Sequence, residues 1–246
     1  MVSHAGEAAV SGVSLVDFVM ALLISLFAAL STGGAVVAGQ YLGGRNVKKA
    51  NDTVNQLVWF TGAVSIAVMG LVYALKNLIL RGLFGEISPD VYMHANTYLL
   101  IVAASIPFIA LYSSGAAVFR SMGNSRLPMN IMIVMNIVHI GLNALLVYGL
   151  GMGTEGVAIS SLVSRIGAAV ILLAYCLDSN RLLHVSRTLR HRFDGETIRK
   201  ILGIGLPYGF ENGMFYLGRL VILSLVATFG TAAIAANAVS GTIVMF

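Results

Sequence analysis

Four stretches of this chain, residues 18–39, 57–75, 97–119 and 127–154, contain no Asp, Glu, Lys or Arg. Each approaches or exceeds the ~20 residues that a helix needs to cross the hydrocarbon of a bilayer. Two further runs are broken only by isolated charges: 156–177 holds Arg165, and 201–228 holds Glu211 and Arg219. A seventh apolar stretch starts near Thr231 and stops at Phe246, too short to cross alone at about 1.5 Å per residue. With 58% of residues hydrophobic and 10% charged, against ~25% charged in a soluble domain, lipid must be the solvent for most of the surface. Backbone groups in lipid have to bond within their own segment, so the spans are helices, and the alternating strands of a membrane barrel are missing. The expected fold class is an all-α integral membrane protein, a polytopic helical bundle.

Loop charges set the orientation. The first, third and fifth loops carry eleven Lys/Arg: Arg45, Lys48 and Lys49; Arg120 and Arg126; and six between Arg181 and Lys200. The second and fourth carry two, Lys76 and Arg81. The positive-inside rule then places the odd loops in the cytoplasm and residue 1 outside. The net charge of +5 sits in loops with no basic face, so no nucleic-acid partner is expected. One cysteine, Cys176, allows neither an intrachain disulfide nor a cysteine metal cluster. Residues 1–12 lack a basic n-region and an apolar h-region, so no cleavable signal is read there.

GEAAVSGVSL at residues 6–15 is echoed by GTAAIAANAV at 230–239. If the second copy follows the helix of 205–228, the first should follow an equivalent helix upstream of Met1. An outward start without a signal leads to the same expectation. The chain therefore reads as a fragment lacking a first helix and most of a second lobe; a complete six-span protein with a short tail is the alternative.

Two parallel six-helix lobes are a transporter pattern, and here the residues resemble a known family. HAGEAAVSGVSL, TGGAVVAGQYLGGRN, FRSMGNSRLPM, GTEGVAISSLVSR and IGLPYGFENGMF, in that order and spacing, are similar to the prokaryotic multidrug and toxic compound extrusion (MATE) antiporters. The resemblance implies a two-lobe, 6+6 architecture of which helices 2 to 8 are present. Residues 1–185 would be the N-terminal lobe, 186–200 a cytoplasmic linker, and 201–246 the start of the C-terminal lobe. The linker mixes basic and apolar residues and reads either as an interfacial segment or as a solvated connection. An aspartate in the family's first helix, tied to cation coupling, would fall in the missing segment.

Four ionisable residues lie at membrane depth: Asp17, Arg165, Glu211 and Arg219. An unpaired charge at the bilayer centre costs at least ~2.5–3.5 kcal/mol on insertion scales. Estimated depths pair Asp17 with Arg219 and Arg165 with Glu211. Glu211 follows Pro207 by one turn among Gly205, Gly209 and Gly213, where a helix can bend or loosen. A carboxylate there can bind Na⁺, take a proton or attract a cationic compound; the plainer reading is a salt-bridged acid. The resemblance implies an acid in this helix, but another branch has it one turn further on, where this chain has Phe215.

Asn136, His139 and Asn143 share a helix face. They read either as a hydrogen-bonding contact between helices or as a cavity wall in which His139 accepts a proton. Met132 and Met135 read as packing. Gly156, Ser160 and Ser164 read as a face for close helix approach. Pro107 should kink its helix, with Ser105, Ser113 and Ser114 serving the loosened backbone. Pro107 and Pro207 are the hinge candidates.

No catalytic or metal-spaced motif appears among the five histidines or elsewhere, so the chain is not read as an enzyme. No cofactor is expected beyond a coupling ion, H⁺ or Na⁺. The resemblance implies a secondary active multidrug exporter, a monomer when full-length, in the cell membrane. It would antiport small cationic amphipathic compounds by alternating access. A flippase for lipid-linked oligosaccharide or peptidoglycan precursors, of the same fold group, is the alternative.

Overall fold

A computed structural model describes residues 7–83, 88–186 and 193–227. They form seven α-helices, with no strand among the described residues: α1 Glu7–Gly43, α2 Val47–Ala74, α3 Pro89–Ala103, α4 Ile106–Ser121, α5 Arg126–Ala144, α6 Thr154–Cys176 and α7 Gly195–Ala227. Short π-helical turns follow α2 at Leu78–Leu83 and α5 at Leu145–Gly149. Among the described residues, α1, α2, α6 and α5 with its π turn are each long and apolar enough to cross a membrane; α3 and α4 make a fifth span, bent by 46°. The second copy of the repeat, at 230–239, and linker residues 187–192 lie outside the described residues.

The turns form where the sequence supplies the chemistry for them. After α1, Arg45 takes a left-handed φ of 57°, and Asn46 N–H donates to the Tyr41 carbonyl at 2.9 Å. Asn46 then caps α2, its Oδ1 accepting from Lys49 N–H at 3.1 Å. After α4, Gly123 has φ 75° and Asn124 N–H reaches back to the Phe119 carbonyl at 2.9 Å, a Schellman-type ending.

The expected kink at Pro107 is present. Proline has no N–H and its ring clashes with the carbonyl four residues back, and the chain breaks one turn earlier, at Ala104–Ser105, between α3 and α4. Ser105 Oγ donates to the Val102 carbonyl at 2.6 Å, at the break itself, while Ser114 Oγ donates to that of Leu111 at 3.1 Å, within the regular helix beyond the proline.

α1 packs on α2, α3 and α4, while α6 packs on α3, α4 and α5. One core cluster joins Val16, Met20, Phe27, Leu99, Ile106 and Val157. A second, towards the end that the charge rule places inside, joins Val54, Phe119, Ile131, Leu172, Cys176 and Leu183. The small face of α6 is buried at Gly156, Ser160 and Ser164, as its spacing predicts. α7 meets α1 where Gly33 faces Gly205: a Cβ on Gly33 would run into the Ile201 carbonyl and the Gly205 backbone. α5 packs mainly on α6 and leaves Ile133, Val134, Ile137 and Ile140 exposed, as suits a lipid-facing helix.

The inner end is fastened by two asparagines one turn apart on α2. Asn51 accepts from His184 N–H at 2.9 Å, and Asn55 accepts from Ser186 N–H at 2.7 Å. Arg181 stacks 5.2 Å from the ring centroids of both Phe119 and Tyr175. Helical order resumes at Gly195, capped by Asp194, whose carboxylate accepts from the backbone of Glu196 and Thr197 at 3.2 and 3.3 Å. By its internal contacts the chain comprises two compact units, 1–206 and 207–246. Pro207 opens the second while lying inside the uninterrupted α7.

Candidate functional site

α6 presents Ser161, Ser164, Arg165 and Ala168 on one face, at i, i+3, i+4 and i+7. α5 presents Met132, Met135, Asn136 and His139 opposite them. With Phe108, Ile109, Tyr112 and Ser113 of α4 and Ile24 of α1 these enclose a cavity of about 440 Å³. Asn136 and His139 thus face a cavity, one of the two settings open to the polar stripe. Asn143 does not line it; its Oδ1 is buried with no hydrogen-bond partner among the described residues. Met132 and Met135 also line the cavity, where packing alone was expected: an unbranched thioether suits either setting, so the residue type could not tell them apart.

Two side-chain hydrogen bonds join these helices in pairs. His139 Nε2 lies 3.2 Å from Ser161 Oγ, between α5 and α6. Tyr98 O–H donates to Asp17 Oδ1 at 3.0 Å, between α3 and α1. Tyr98 is 3% exposed, and Asp17 is exposed on α1.

Arg165 sits one turn beyond Ser161 and donates through Nη1 to Ser105 Oγ at 2.8 Å. Among the described residues of the first unit no carboxylate oxygen lies within 4.0 Å of it. The guanidinium is seated by a neutral hydroxyl at the break before Pro107.

Of the two pairings expected from depth, Asp17 with Arg219 falls outside the described residues at the Arg219 side chain, and Arg165 with Glu211 would run between the two units. Glu211 is exposed on α7 in the second unit, where its neighbour Asn212 donates to the Tyr208 carbonyl at 2.9 Å. Within the first unit Asp17, His139 and Arg165 each have a polar partner, Tyr98, Ser161 and Ser105, none of them anticipated in that role. Ser161 had a usable signal, lying four residues before Arg165 and therefore on the same helix face. Tyr98 had only its hydroxyl in a charge-free run.

The MatE family signature matches residues 1–145. Over its whole length the chain is 27% identical to the "Uncharacterized transporter YisQ" of Bacillus subtilis and covers 54% of it. To the "Probable multidrug resistance protein YoeA" of the same organism it is 27% identical over 95% of its length, covering 51% of that protein. A crystal structure of MATE in the bent conformation shares the fold at a TM-score of 0.90 and 19% identity, over 99% of this chain and 54% of that one. The chain spans about half the length of the curated relatives it matches. A signature over more than half of its residues, on apolar helices of spanning length, settles the matter: this is a multi-pass protein of the cell membrane, and it belongs to the MatE family of multidrug and toxic compound extrusion transporters.

Proposed function

We propose that this chain supplies the first lobe, and the start of the second, of a secondary active exporter. It would move small amphipathic organic compounds by alternating access, driven by an inward ion gradient. The observation that carries the reading is a pair of titratable groups at membrane depth: His139 at the cavity wall, bonded to Ser161, and Asp17 on α1, which accepts from Tyr98. Either can take up a proton, which favours H⁺ over Na⁺ as the coupling ion. A bound proton that favours one lobe arrangement over the other is what coupling requires.

The likeness to the "Probable multidrug resistance protein YoeA" supports the substrate class of small organic compounds. Selection of cations, which the family resemblance implies, would fall to Glu211 on α7, because the charged group lining the described cavity is positive. The test is transport by the full-length protein in proteoliposomes, with fluorescent cationic and anionic amphiphiles and an imposed pH or Na⁺ gradient. Movement against the compound's own gradient, dependent on the pH step and lost in Asp17→Asn, is the expected result. Equal rates with and without any ion gradient would refute the reading.

A further inference from the structure

The cavity between α4, α5 and α6 holds a charge that the export cycle above does not use. Arg165 stays protonated even in apolar surroundings, and a cation at membrane depth is retained only with a counter-charge or a role in moving one. Within the first unit, Asp17 is engaged by Tyr98 and lies beyond salt-bridge distance of the guanidinium. Ser105 takes one bond from Nη1. Arg165 also lines the 440 Å³ space, so further N–H groups of a planar fork face a volume typical of small-molecule sites. No acidic residue lines that space among the described residues; its other walls are Asn136, His139 and hydroxyls on one side, and Phe108, Met132 and Met135 on the other.

We propose that this cavity is an anion subsite. Arg165 holds the carboxylate of an amphipathic organic acid whose apolar body lies against Phe108, Met132 and Met135. This deepens the transporter reading, on which it rests, by naming a substrate class. The planar fork matches a carboxylate in bidentate fashion. One fixed positive charge balances a monoanion, whereas the pyrophosphate of a lipid-linked sugar would remain largely uncompensated here.

The test compares three ligands built on one ring system, indole-3-acetate, indole-3-acetamide and tryptamine, which are anionic, neutral and cationic. Binding of radiolabelled indole-3-acetate is measured on the purified full-length protein in detergent. The expected result is saturable binding that neither the amide nor tryptamine displaces. Arg165→Gln should weaken it at least about thirtyfold, as expected when one partner of a desolvated charge pair is removed. Asn136→Asp, which keeps Arg165 but adds a like charge to the same cavity, should also abolish it without altering detergent melting, and it decides the matter alone if Arg165→Gln does not fold. Absent binding in the wild type overturns the proposal, including the case in which an acidic side chain from elsewhere in the full-length protein fills the guanidinium. Displacement by tryptamine, or unchanged binding in both variants, overturns it as well. Gradient-driven transport of a cationic probe without indole-3-acetate binding removes the anion subsite and leaves the exporter. Arg165-dependent binding without gradient-driven movement of any probe supports the subsite and removes the exporter.

Discussion

Tyr98→Phe isolates the hydrogen bond to Asp17 from everything else the residue does. The ring is buried in the first core cluster, which also holds Val16, Leu99 and Ile106, and stays packed in the variant. One bond is lost, donated to Asp17 at 3.0 Å. In water-soluble proteins a hydrogen bond to a charged group contributes about 1.5–3 kcal/mol, but side-chain bonds between membrane helices average about 0.6 and reach ~1.7 kcal/mol. Asp17 is exposed on α1 and can find another donor, so the smaller figures apply. The loss comes to about 1–2 kcal/mol at most, well within what a folded bundle of this size tolerates.

Proton passage is another matter, since phenylalanine neither gives nor takes a proton. In proteoliposomes carrying an internal pH dye, substrate-driven proton flux should fall by at least about tenfold, a cautious figure for removing a group that transfers protons. Detergent melting should move only by the amount that ~1–2 kcal/mol implies. Asp17→Asn should match Tyr98→Phe in flux. If Tyr98→Phe keeps full proton flux while Asp17→Asn loses it, the Tyr98 hydroxyl takes no part in the proton's path, whatever Asp17 does.

Four other substitutions test the architecture. Gly33→Ala places a Cβ against the Ile201 carbonyl and the Gly205 backbone, which cannot give way as a flexible side chain would; it should cost about 1–3 kcal/mol in detergent unfolding. Gly39→Ala on the same helix meets nothing within 4 Å and should stay within about 0.5 kcal/mol. Asp194→Ala removes the cap of α7 and should speed hydrogen exchange at the amides of Glu196 and Thr197. The Asp194 carboxyl is held below its ordinary range first by the Thr197 hydroxyl, then by the Glu196 backbone N–H. Its contribution is therefore complete above the ordinary carboxylate pKa and lost as pH falls through the lowered one, so wild-type exchange at these amides should approach that of the variant in acid. Pro107→Ala restores an N–H able to reach the Ala103 carbonyl; it should slow transport while leaving the melting temperature unchanged or raised.

The spans were legible because lipid punishes charge so severely that a run of about twenty residues without any is the mark of a membrane crossing. The turns were legible at GGRN, where Asn46 caps although the left-handed position falls on Arg45, and at SMGNSRLP, where Gly123 takes the left-handed position. The kink followed from Pro107. For the site, the same penalty drew attention to Asp17, His139 and Arg165. What could not be read was the polar partner each has within this unit, Ser105 for Arg165 and Tyr98 for Asp17. Serine and tyrosine sit in membrane helices at little cost, so they leave no mark in a hydropathy profile. Which helix faces which depends on packing such as that of Gly33 on Gly205, which has no one-dimensional signature.

The break before Pro107 sets these parts on either side of one joint. α3 carries Tyr98, which bonds Asp17; α4 carries Phe108, Tyr112 and Ser113, a wall of the cavity. A continuous helix would make both move as one rod. The 46° bend falls between them, so the wall can shift while Tyr98 keeps its hold on Asp17. Ser105 stands at that joint with its backbone at the bend and its hydroxyl on Arg165. Any change in the bend therefore moves the acceptor that seats the guanidinium. Because Arg165 is one helical turn from Ser161, a shift of α6 in response would reach the His139–Ser161 contact as well. Coupling between sites requires a two-state element that both ligands bias; if Pro107→Ala leaves transport unchanged, the joint at Ala104–Ser105 is not that element.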